Sequence, residues 1–219
     1  MTESFDAVVI GAGHNGLVAG TLLADAGWDV VVVESSPTAG GAVASAEVTA
    51  PGFVTDLFSA FYPMTAASPV IADLRLEEHG LRWRHAPRVL TNVLPDGPGA
   101  VLHRASGATA AQLDALDHGD GRAWEELHRS WERFGDQLVR ALLSPFPPVR
   151  GALAVGWRAR GELWDLLRML TLPVRTLGEE RFRGERARLL LAGNALHADV
   201  TPEAAPSALL GWLLVGLGQ

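Results

Sequence analysis

Apolar positions along this chain change their period from one region to the next. Near the N-terminus a short β-branched run, Phe5 to Ile10, leads into a glycine-rich stretch, Gly11 to Gly16. Leu17 to Gly27 then reads as a helix, with Leu17, Leu22 and Leu23 apolar and a glycine near its end. Val30 to Val33 is a second run of strand length. Strand, helix and strand at this spacing predict a βαβ unit, hence a parallel pair with a right-handed crossover.

Beyond Pro69 the texture is different. Ile71 to His79 looks helical, and Leu81 to Ala86 alternates as a strand would. Val89 to Leu94 and Ala100 to Arg104 flank Pro95-Asp96-Gly97-Pro98-Gly99, which predicts a β-hairpin. Helices dominate from Thr109, where Thr109 and Gln112 have capping-box spacing. Trp124, Leu127, Trp131, Phe134, Leu138 and Leu142 then fall on one helical stripe, with Glu125–Arg129 and Asp136–Arg140 as i,i+4 pairs on the wet side. Ser144-Pro145-Phe146-Pro147-Pro148 should end that helix. Further helices are expected over Gly161 to Leu170, Glu185 to Leu191 and Pro202 to Leu217, the last with Thr201 as N-cap and Pro202 at N1. The fold class is therefore α/β: a Rossmann-like FAD/NAD(P)-binding βαβ unit followed by a hairpin and a mostly helical portion. The division expected is 1–69 for the dinucleotide-binding portion and 70–219 for the rest.

Composition narrows the chemistry. The 219 residues are 48% hydrophobic and 20% charged, a globular balance. No apolar run nears the ~20 residues that span a bilayer. The acidic N-terminus (Glu3, Asp6) runs straight into a strand pattern, so a Sec-type leader is not expected. Without cysteine, disulfide scaffolds, Cys-ligated zinc and thiol catalysis are excluded, and a cytoplasmic setting is the natural expectation. All 18 basic residues are Arg, and the net charge of −7 argues against nucleic acid as a partner. No cation precedes Arg75, while Glu3, Asp6, Asp25, Asp29, Glu34, Glu47, Asp56 and Asp73 all do. Any phosphate bound there must be held by backbone.

The informative motif is Gly11-Ala12-Gly13-His14-Asn15-Gly16, with Gly20 four residues later. In a G-x-G-x-x-G turn the first glycine makes the tight turn, the second lets backbone approach a pyrophosphate, and the third permits close helix–strand packing. The helix N-terminus supplies free N–H groups and partial positive charge. Glu34, 18 residues beyond Gly16, stands where an acid takes the ribose hydroxyls. Such an acid without a neighbouring Arg disfavours a 2′-phosphate, so NADP is the least suited dinucleotide, and NAD and FAD both stay open on these residues alone. Gly40-Gly41 offers a second place for close backbone approach, or simply a loop that needs positive φ.

Taken together, Val8 to Gly20, then Val31-Val32-Val33-Glu34, then Ala39-Gly40-Gly41-Ala42 resemble the phytoene-dehydrogenase-like FAD oxidoreductases of the amine-oxidase-like flavoprotein superfamily. Pro51 to Ser59 and Leu191-Ala192-Gly193-Asn194-Ala195-Leu196-His197 also look like segments of that family. The resemblance implies FAD as cofactor and a hydride transfer from a hydrophobic substrate, isoprenoid-like or an amine, to the flavin N5. It implies cofactor-binding roles for Gly11, Ala12, Gly13, His14, Asn15, Gly16, Glu34, Ser35, Gly40 and Gly41, with Asp56 and Ser59 as more distant neighbours. It nominates no catalytic acid, base or nucleophile, and no metal. It also implies that 70–219 is part of a substrate domain. Many relatives carry a basic residue beside the glycine pair, where this chain has Pro37, Thr38 and Ala39. Members continue well past the equivalent of Gln219, so the chain is expected to be an N-terminal portion.

Two rival readings stay in view: a catalytically silent fragment with residual dinucleotide binding, and a compact NAD-dependent reductase. Other candidates fall away. Glu125 and His128 have Glu-x-x-His spacing, but a di-iron bundle needs a second copy and two further Glu. No H-E-x-x-H or G-x-S-x-G occurs. Trp124 and Trp131 sit on the apolar stripe and read as core. Nine Arg between Arg150 and Arg188 face five acids; ordinary helix faces account for them, with room left for peripheral membrane contact.

Overall fold

Four consecutive valines favour extended backbone because each branched Cβ restricts χ1. In the computed structural model they form β2 (Val30–Val33), which pairs in parallel with β1 (Ala7–Ile10), Ala7 opposite Val30 through Ile10 opposite Val33. The structure describes residues 4–95, 97–144, 147, 153, 156–157, 161 and 163–219. The chain divides into a first unit, Met1–Tyr62, and a second, Pro63–Gln219.

In the first unit the crossover is α1 (His14–Asp25). It starts three residues before the expected Leu17, because Gly13 serves as N-cap in extended conformation and the turn is shorter than the glycine run. A two-residue antiparallel pair, β3 (Ser45–Ala46) with β4 (Thr55–Asp56), follows. Among the unit's described residues only Ala12 and Gly20 are buried.

The second unit opens with α2 (Pro63–Ala66), α3 (Pro69–Asp73) and a 3-10 turn, Leu76–His79. The single helix expected over Ile71 to His79 is thus broken, and Arg75 at the break has a left-handed φ of 48°. Leu81 to Ala86 is not a strand. It has no ladder partner, although Leu81 and Trp83 are half-buried while Arg82 and Arg84 are exposed. Alternation records which side faces in; it cannot supply a neighbouring strand. The hairpin is present as β5 (Arg88–Asn92) antiparallel to β6 (Ala100–His103).

Helices α4 (Ser106–Leu116) and α5 (Asp120–Leu142) come next. Thr109 and Gln112 do not cap a helix; they lie inside α4. Thr109 Oγ1 accepts the His103 N–H at 2.9 Å, and Gln112 Oε1 accepts the Val101 N–H at 2.8 Å. The spacing is right for a cap, but these side chains hold the outer edge of β6 instead. On α5 the stripe buries Trp124, Leu127, Phe134 and Leu138, while Leu142 at the helix end is exposed. Trp131 meets Trp212 edge-on, with ring centroids 5.4 Å apart. Arg129 Nε reaches the Glu125 backbone carbonyl at 3.4 Å. Pro145, Phe146 and Pro148 lie outside the described residues.

The remaining helices are α6 (Leu163–Thr171), α7 (Val174–Arg181), α8 (Glu185–Leu196) and α9 (Ser207–Gly218). The sequence pattern does not disclose α7, whose Val174 and Leu177 are buried behind a Pro173 N-cap. It also begins the last helix too early. Pro202 and Pro206 stand four apart, and a proline ring clashes with the carbonyl four residues back, so no helix runs through both. Residues 201–206 turn instead, and α9 begins at Ser207 after Pro206. Trp124, Trp212, Phe182, Leu102, Leu113, Leu190 and Leu191 are the large side chains of one fully buried core. Gly211 lets α9 approach α8, since a Cβ there would lie 2.7 Å from the Leu191 carbonyl oxygen.

Candidate functional site

The turn between β1 and α1 is built from close backbone approaches. Gly11 has φ +97° and donates its N–H to the Val33 carbonyl at 2.7 Å, tying the turn to the end of β2. At Gly16 an added Cβ would overlap the Gly11 carbonyl, which closes the turn against the first helical residues. Part of the helix–strand approach expected of Gly16 falls to Gly20, where a Cβ would stand 3.1 Å from Val32 Cγ2. No side chain caps the N-terminus of α1, so its first N–H groups face outward over the exposed His14 and Asn15.

Ala12, the buried member of the turn, is held at both ends. Its N–H donates to Glu34 Oε2 at 2.7 Å, and its carbonyl accepts the Gly40 N–H at 2.8 Å. Glu34 follows β2 directly, so strand pairing carries its carboxylate to the turn. Its Oε1 accepts the Ser36 N–H at 2.8 Å and the Ser35 hydroxyl at 3.3 Å. The Ser36 N–H, then the Ala12 N–H, hold the Glu34 carboxyl down to a pKa of about 2, against the opposing effect of desolvation. Glu34 is therefore anionic throughout the physiological range and can still accept from a diol.

The second glycine pair supports the first turn. Gly40 bridges to Gly13 in parallel fashion, and Gly41, at φ +58°, is so close that a Cβ would lie 3.0 Å from Gly13 Cα. This is a physical reason for two adjacent glycines that positive φ alone does not give. Ser36 was not among the expected site residues; the only trace it left was a pair of short polar residues just after the acid. Asp56 accepts the Ser45 hydroxyl at 2.6 Å within the β3–β4 pair, so its nearest partner is local.

A glycine turn opening a helix, an acid on the following strand and exposed amides define a dinucleotide-binding unit of the Rossmann kind. In agreement, residues 9–75 match the model of the NAD(P)-binding Rossmann-like domain family. Over 98% of its length the chain is 30% identical to pyridine nucleotide-disulfide oxidoreductase domain-containing protein 2 of Mus musculus, of which it covers 41%. It is 33% identical over 61% of its length to a limonene dehydrogenase polypeptide of Castellaniella defragrans, covering 24% of that protein. It is 29% identical over 95% of its length to hydroxyneurosporene desaturase of Rhodobacter capsulatus, covering 42%. The chain is thus a homologue of these oxidoreductases, as its motifs imply, and it spans between a quarter and about two-fifths of their lengths.

Among the described residues no three His, Asp or Glu side chains are grouped to hold a metal ion, and no helix is long and apolar enough to cross a membrane.

Proposed function

We propose that this chain is the FAD-binding N-terminal portion of an oxidoreductase that removes a hydride equivalent from a hydrophobic substrate. The observation that supports this most is the convergence of three sequence-distant pieces on Ala12: the glycine turn, Glu34 and the Gly40–Gly41 pair. The residues present suit the adenosine diphosphate half of the cofactor. Gly13, His14, Asn15 and Gly16 offer amide N–H groups to a pyrophosphate, and Glu34 offers acceptors to ribose hydroxyls. With no Lys or Arg before Arg75, phosphate binding falls to backbone and helix dipole. Bound flavin would supply the hydride acceptor, at its N5.

The functional division we favour is 1–69 for cofactor and 70–219 for part of a substrate domain. Two relatives are named for limonene and hydroxyneurosporene, which favours an isoprenoid-like substrate over an amine. The exposed Trp164 and Leu167 on α6 are consistent with a cytoplasmic protein that touches a membrane peripherally.

The test is uptake of FAD by the purified chain, read as saturable flavin absorbance and quenching of flavin fluorescence. Folded protein that binds NAD but not FAD would overturn the proposal in favour of a nicotinamide enzyme.

A further inference from the structure

We infer that Glu34 is a positioning residue for the phosphate end of the ligand as well as an acceptor for its ribose. This rests on the dinucleotide reading of the site. The Ala12 peptide is clamped on both sides, by Glu34 Oε2 at its N–H and by the Gly40 N–H at its carbonyl. Ala12 sits between Gly11, which sets the turn, and Gly13, whose backbone faces the phosphates. Fixing Ala12 therefore fixes the direction of the amides that follow it.

Two consequences come with this arrangement. The Ala12 N–H is already donated inside the protein, so the pyrophosphate must be met by amides later in the turn and in the first turn of α1. A carboxylate also offers about four acceptor positions. Ala12 N–H, Ser36 N–H and the Ser35 hydroxyl take three, the last at 3.3 Å and hence the weakest. A ribose diol that donates twice must displace the Ser35 hydroxyl, and the two backbone contacts stay in place.

The experiment crosses two protein forms with two ligands. Wild type and Glu34→Ala are titrated with ADP and with 2′,3′-dideoxy-ADP, which keeps the phosphates and lacks the hydroxyls Glu34 would accept. Positioning through Ala12 predicts a loss of about tenfold or more with both ligands, the scale of one charge-assisted hydrogen bond. A dideoxy-ADP affinity equal to wild type overturns the inference and leaves Glu34 a ribose ligand only. Amide hydrogen exchange at Ala12 is the ligand-free readout: Glu34→Ala must accelerate it, and unchanged protection overturns the inference. If wild type binds neither nucleotide, the dinucleotide reading fails, and the exchange measurement alone decides whether Glu34 braces the turn. Glu34→Gln keeps the side-chain volume and one acceptor, so it should fall between wild type and Glu34→Ala in both readouts if the Ala variant unfolds locally.

Discussion

The two units of this chain are held together by different means. In the second, apolar side chains from the hairpin and from six helices converge on a core in which Trp124, Trp212, Leu102, Leu190 and Leu191 are almost wholly excluded from water. In the first, the large apolar side chains stay outside: Val8 is 59% exposed and Ile10 86%. What orders the first unit is backbone: parallel strand pairing, the doubly clamped Ala12, and glycine-to-glycine contact between Gly13 and Gly41. A two-stranded parallel sheet with bare faces has little hydrophobic stabilisation of its own. The site thus sits on the part of the molecule that side-chain burial supports least. Its shape depends on a few specific hydrogen bonds and on the absence of Cβ atoms.

That contrast predicts where substitutions hurt. The largest effect is expected at Trp212, which is 1% exposed, donates its indole N–H to the Leu127 carbonyl at 3.1 Å and packs against Trp131. Trp212→Ala should cost about 3–5 kcal/mol, the usual range for emptying a buried aromatic site. Urea denaturation followed by far-UV circular dichroism measures it. A loss under ~1 kcal/mol would mean that the helical core is far looser than its burial implies.

Next comes Gly41→Ala. Here no apolar burial is lost, yet the new Cβ meets Gly13 Cα at 3.0 Å and the backbone stays at positive φ. Strain of this kind costs on the order of 1–3 kcal/mol. It should appear as faster amide exchange across Gly11 to Gly16 and weaker ADP binding, with the second unit's exchange unchanged. If nucleotide affinity survives intact, the glycine pair is a loop requirement only, and the backbone account of the first unit loses one of its supports.

A still smaller change is expected at Ile10, the last residue of β1. A strand isoleucine ordinarily reads as core, but at 86% exposure Ile10→Ser should shift stability by no more than about 0.5 kcal/mol either way. A larger destabilisation would show that this face is covered in solution, and the contrast between the units would then narrow.

The sequence disclosed the two regions unequally. The βαβ unit was readable because its signals are local: a β-branched run, a glycine turn, and an acid at fixed distance. The role of Gly40–Gly41 was only half readable, because packing on Gly13 is a contact between distant residues. In the second unit, helix stripes such as Trp124 to Leu138 announced themselves, since a 3.6-residue period is also a local property. What failed was anything that depends on a partner. Leu81 to Ala86 alternates without a strand beside it, and Thr109 with Gln112 has capping spacing but serves β6. Pro202 reads as a helix start until Pro206 is weighed four residues on. The site residues were nominated from the motif; that Glu34 reaches back to Ala12 needed the three-dimensional turn.

The smallest expected effect is a pH dependence that is flat over the whole working range. The Glu34 carboxyl titrates at about 2 in the folded chain and near 4.5 when unconstrained, so the folded state favours its anion. By linkage, a depressed carboxylate pKa contributes stability that is fully present above the unfolded value and is lost as pH falls through the folded one. The Ala12 and Ser36 amide contacts should therefore be unchanged from pH 8 to about 5, weaken below ~4.5, and disappear near pH 2. Amide proton shifts of Ala12 and Ser36, followed down that range, measure this directly. A transition between pH 5 and 7 at either amide would mean that the carboxylate is not held by these two N–H groups, and that Ala12 is clamped from the Gly40 side alone.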